Sequence, residues 1–120
     1  MKTFIKTELT NNSKKLGQSD NITKIVYESA DEVNENRPDK PPIIKSPSTI
    51  LFGKKSRLDS LGLVSLIVII EQKLEEQLGV IITLADERAM SQPSSPFKTI
   101  ESLVNYINML LDEINSQSKT

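Results

Sequence analysis

Between Leu61 and Ile70 only Gly62 and Ser65 interrupt a run of large apolar side chains. No other stretch constrains the fold as strongly. Val64, Ile67, Val68, Ile69 and Ile70 would suit a buried strand, because β-branched side chains favour a pleated surface. The continuation decides for a helix. Glu71-Gln72-Lys73-Leu74-Glu75-Glu76-Gln77-Leu78 consists of good helix formers, and Gly79 follows as a C-terminal stop. Counted from Asp59 or Ser60, the unit is about 19 residues long, beyond an ordinary strand.

Two further helices follow from periodicity. Ile100, Leu103, Val104, Ile107, Leu110, Leu111 and Ile114 repeat at i, i+3, i+4 and i+7, with Thr99 at the N-cap position. Ile22, Ile25, Val26, Ala30 and Val33 predict a first helix over 20–35, capped by Ser19 or Asp20 and stopped before Pro38. A short helix is expected over Leu84–Met90 with Thr83 as its cap, before the break at Gln92-Pro93-Ser94-Ser95-Pro96. Pro38 to Arg57 reads as a long loop, since Pro41, Pro42 and Pro47 lack an amide hydrogen for a helix or central strand. Ile43, Ile44, Ile50, Leu51 and Phe52 are expected to pin that loop to the core. The fold class is therefore all-α: a small four-helix bundle of three longer helices and one short one, with the long loop between helices 1 and 2. Residues 1–19 are expected as a flexible tail or an arm that orders on a partner, 20–115 as the domain and 116–120 as a second tail.

A chain of 120 residues suffices for one small domain, and Leu, Ile, Val and Phe supply 36 core candidates. Cysteine and histidine are absent. That removes disulfides, thiolate nucleophiles, Ser-His and Cys-His pairs, and the commonest transition-metal ligands. The carboxylates do not assemble a metal motif: Asp86 and Glu87 are adjacent, and Glu71, Glu75 and Glu76 read as a solvated helix face. The net charge of -1 hides a gradient, +4 over residues 1–58 and -6 over 59–115. The five aromatics are scattered rather than interleaved with the basic residues, which argues against a nucleic-acid surface. Charges interrupt the first residues too often for a signal-peptide core, and no apolar run reaches the ~20 residues of a membrane span. A cytoplasmic monomer is expected.

The chemistry concentrates at Leu58-Asp59-Ser60-Leu61, where the long loop meets the most apolar helix. The first amide hydrogens of a helix lack internal partners and carry partial positive charge, so a phosphate esterified to Ser60 would be well placed. Either Ser60 or Asp59 could equally be an ordinary cap.

Leu58-Asp59-Ser60-Leu61-Gly62-Leu63-Val64-Ser65-Leu66, followed by Leu74-Glu75-Glu76-Gln77-Leu78-Gly79-Val80, resembles the acyl carrier proteins. The segment from Thr99 to Ile107 looks like that family's last helix, and the resemblance runs in order over residues 20–115. It implies that Ser60 carries a 4′-phosphopantetheine arm, with Asp59 and Leu61 read by the phosphopantetheinyl transferase that installs it. It also implies that acyl groups ride on the arm as thioesters, loaded and consumed by partner enzymes of a lipid, surface-sugar or secondary-metabolite pathway. The chain itself would not be an enzyme. One side of the second helix would then face the bundle, and Leu63, Val64, Glu71 and Glu75 would meet partners. Many members carry acids two and five places after the attachment serine, where this chain has Gly62 and Ser65; upstream, Gly53-Lys54-Lys55-Ser56-Arg57 is basic. Those departures point to a specialised carrier with its own partners. A Ser60 nucleophile with a lysine base is the weaker alternative, lacking a Gly-x-Ser-x-Gly elbow. A helical interaction module that is never modified shares the fold and differs only at Ser60.

Overall fold

The computed structural model describes residues 14–53, 55–56, 58–84 and 95–118. Among them the regular structure is three helices, α1 (Lys14–Asn36), α2 (Ser60–Leu78) and α3 (Ile100–Ser118), and no strand. The described residues are all-α, as expected. The anticipated short helix at 84–90 lies outside the described residues beyond Leu84.

α1 is the hub: it packs against both α2 and α3, which do not approach one another closely along their backbones. Its stripe Ile22, Ile25, Val26, Ala30 and Val33 is at most 1% exposed. Ser29 is also buried, and its hydroxyl donates to the Ile25 carbonyl at 2.8 Å, so its one polar group is satisfied inside the helix. α1 starts at Lys14, six residues before the expected start at 20, so residues 14–19, expected as part of a flexible tail, are helical. Contacts with α3 accompany this extension. Gln18 Nε2 donates to Asn108 Oδ1 at 3.2 Å and to Asp112 Oδ1 at 3.3 Å, tying the first turns to α3. The helix ends at Asn36, before Pro38, as the sequence predicts.

α3 begins with a reciprocal cap. Ser102 N–H donates to Thr99 Oγ1 and Thr99 N–H donates to Ser102 Oγ, both at 3.0 Å. It runs through Ser118, past the anticipated boundary at 115. The long α1–α2 connection then supplies what the first turn of α3 lacks. Ile100 N–H donates to the Thr49 carbonyl and Glu101 N–H to the Pro47 carbonyl, at 3.0 and 2.9 Å. Leu51 N–H donates to the Lys98 carbonyl at 2.7 Å beside a single bridge between Ile50 and Thr99. At its other end the Asn34 side chain clamps Ile43, accepting from its N–H at 2.8 Å and donating to its carbonyl at 3.2 Å. Of the five residues expected to pin the loop, Ile43 and Leu51 are buried and Ile50 half-buried. Ile44 and Phe52 are more than half exposed, so backbone hydrogen bonds share the anchoring.

α2 spans the 19 residues expected and closes at Gly79, whose left-handed φ of 69° lets its N–H reach back to the Glu75 carbonyl at 3.0 Å. Leu66, Ile70 and Leu74 are fully buried against the core. Lys73 pairs with Glu32 of α1 at 3.5 Å.

Candidate functional site

The approach to α2 is shaped by a turn in which Ser56 N–H donates to the Gly53 carbonyl at 3.0 Å; Gly53 adopts φ 113°, a conformation side chains disfavour. Ser56 Oγ then accepts from Leu58 N–H at 3.0 Å. Asp59 follows in extended backbone and is the N-cap: its Oδ1 accepts from Gly62 N–H at 2.8 Å. The choice between Asp59 and Ser60 as cap is thereby resolved for Asp59.

Ser60 is the first residue of α2 and exposed, and its hydroxyl has no hydrogen-bond partner among the described residues. With the cap role taken by its neighbour, Ser60 presents an unused hydroxyl at the positive end of a helix. Two cations from beyond the end of α1 converge on the same turn. Arg37 Nη2 is 3.5 Å from Asp59 Oδ1 and Lys40 Nζ is 3.6 Å from Asp59 Oδ2. The Gly62 amide above all, then Arg37 and Lys40, hold the Asp59 carboxyl below the usual carboxylate range. Arg37 Nη1 is buried and has no hydrogen-bond partner among the described residues.

Gly62 explains one departure from the carrier pattern. A Cβ built there would lie 2.5 Å from Leu58 Cδ1 and 3.1 Å from both Arg37 Cζ and Asp59 Oδ1. The absent side chain is what allows Leu58 and the Arg37 guanidinium to lie over the first turn of α2.

Beyond Ser60 an exposed apolar stripe runs along α2: Leu61 is 75% exposed, Val64 56% and Val68 43%. These positions, i, i+3 and i+7, share one helix face. Leu63 is half-buried and packs on the core. Glu75 is exposed, whereas Glu71 is half-buried and its Oε2 accepts from Leu84 N–H at 2.8 Å, holding the chain that follows α2. The solvated-face reading fits Glu75 and Glu76 and not Glu71. Sequence reasoning missed Arg37 and Lys40; the turn at Pro38, which brings the end of α1 toward α2, was the only hint of them.

Among the described residues no group of three acidic side chains is placed to hold a metal ion, and no helix is long and apolar enough to cross a membrane. No family model, curated protein or solved structure matches the chain.

Proposed function

We propose that the chain is an acyl carrier protein, holding acyl groups as thioesters on a 4′-phosphopantetheine arm at Ser60. The observation that carries this reading is the state of that serine: exposed, first in its helix and relieved of capping by Asp59. A walled-off hydroxyl, or an extended segment after it, would have spoken against a carrier. Phosphate fits the place. The N-terminal amides of α2 lie at the ester position, and Arg37 and Lys40 pair with the neighbouring Asp59, offsetting its negative charge. When attached, the arm supplies the thiol that a chain without cysteine lacks. Leu61 beside the hydroxyl, and Val64 and Val68 beyond it, are apolar surface for the transferase and the acyl-handling enzymes.

On this reading the fold is the carrier's four-helix bundle and the protein works as a cytoplasmic monomer. Six basic residues and one acid between Arg37 and Leu58 distinguish it from carriers with neutral or acidic approaches, which suits a dedicated pathway. A malonyl transferase of general fatty-acid synthesis is therefore expected to load it poorly; loading equal to that of a housekeeping carrier would remove the specialisation.

The decisive experiment is intact mass spectrometry after incubation with coenzyme A and a broad-specificity phosphopantetheinyl transferase. One added phosphopantetheine on the wild type and none on Ser60→Ala is the expected result. The exposed stripe would equally serve an unmodified interaction module, and an unchanged mass with a competent transferase would establish that alternative.

A further inference from the structure

The α1–α2 connection encloses a cavity of about 220 Å³. Buried Ile43 and Leu51 form its floor, with Ile50 and Leu58 half-buried beside them. Pro42, Ile44 and Lys55 are exposed, so the cavity opens to solvent on their side. Its hydroxyl groups are engaged within the loop: Thr49 Oγ1 donates to the Ile44 carbonyl at 2.6 Å, and Ser48 Oγ lies 3.2 Å from Ser46 Oγ. Lys55 is different. Among the described residues no carboxylate pairs with its ammonium group. Among the described residues the chamber is therefore apolar inside, with Lys55 as an unpaired cation at its mouth.

Three features define what fits. An apolar lining whose two hydroxyls already bond within the loop offers too few partners for a sugar or nucleoside, many of whose polar groups would go unpaired. The volume exceeds the ~150 Å³ apolar cavity known to take benzene, which suits an aliphatic chain of about six to eight carbons. Lys55 favours an oxygen-bearing end, a carbonyl or carboxylate, at the entrance. The position adds a fourth. Leu58, a wall of the cavity, precedes Ser60 by two residues, so the attachment point stands within about 7 Å of that wall along the chain.

We propose that this cavity receives a medium-length acyl group of about six carbons carried by Ser60, and so selects the substrate class by chain length. The inference rests on the carrier reading. It places the acyl chain under the α1–α2 connection, outside the space between the helices.

The test uses the full chain with labelled Ile and Leu methyl groups, loaded at Ser60 from hexanoyl-coenzyme A and compared by NMR with the chain bearing the free-thiol arm. Ile43, Ile44, Ile50, Leu51 and Leu58 are expected to shift and to show contacts with the hexanoyl chain, while Leu103 and Ile107 in the bundle stay put. Ile44→Trp at the exposed rim should fill the mouth, abolish those contacts and speed thioester cleavage by hydroxylamine about threefold, as expected when a chain sheltered two-thirds of the time is released. A loaded chain whose shifts fall on the bundle methyls, or nowhere, overturns the proposal and leaves the carrier reading standing. Failure of Ser60 to load overturns the carrier reading instead. Hexanoyl-pantetheine free in solution then tests the cavity alone: shifts in the same five residues keep it as a site for that chain, and none removes it.

Discussion

α2 and α3 have equal lengths, 19 residues each, and opposite distributions of apolar surface. In α3 the large side chains form one stripe, and Ile100, Leu103, Ile107 and Leu111 are buried with polar residues around them. α2 is apolar on several sides: Leu66, Ile70 and Leu74 fill the core, while Leu61, Val64 and Val68 stand in solvent. Folding accounts for the whole of α3 and only part of α2. Apolar side chains that the core does not use, next to an unused serine hydroxyl, are what a surface built for partners would leave exposed.

Substitutions should affect the two helices unequally. Leu103→Ala in α3 should cost about 2–5 kcal/mol, because it empties a fully buried site that its neighbours refill only in part. Denaturant titration would show it as a lower midpoint with an unchanged slope. Thr99→Ala should cost about 1 kcal/mol, measured the same way, since it removes half of the reciprocal cap. Val64→Ser on the exposed face of α2 should stay within about 0.5 kcal/mol of wild type while slowing transfer of the arm to Ser60. A loss as large as that for Leu103 would mean that α2 has no spare face.

The smallest effect sharpens the assignment of the cap. Ser60→Ala should leave the melting temperature essentially unchanged, whereas Asp59→Ala should lower it, because only Asp59 bonds the Gly62 amide. Asp59 also predicts a pH dependence. Its carboxyl is depressed in the folded state, so the stability it contributes is fully present above its unfolded value near ~4 and is lost as pH falls through the lower folded value. The gap in melting temperature between wild type and Asp59→Asn should be flat from neutral pH down to about 5 and close below about 4. A gap that opens only near neutrality would assign the effect to another group.

Much of this was legible from local pattern. The end of α1 before Pro38, the cap at Thr99, the stop at Gly79 and the buried stripe of α3 each depend on neighbours within a turn or two, where spacing and side-chain chemistry suffice. The misses all involve distant partners. The early start of α1 accompanies Gln18 reaching Asn108 and Asp112. Glu71 left its expected solvated role because the chain after α2 folds back to offer Leu84 N–H. The loop is held by carbonyls that serve the first amides of α3, a pairing that no periodicity announces.

Helices over the described residues, an opening of the most apolar one at Asp59-Ser60, and the need to bring any thiol or histidine chemistry from elsewhere could all be read from the residue order. Periodicity, capping and composition are local or additive quantities, and they can be read without coordinates. Which of the two neighbours caps the helix, which apolar residues remain outside the core, and the approach of Arg37 and Lys40 to Asp59 emerge only once the helices are packed. Those outcomes follow from packing α1 against both other helices, where burial and charge are set by residues far apart in the chain.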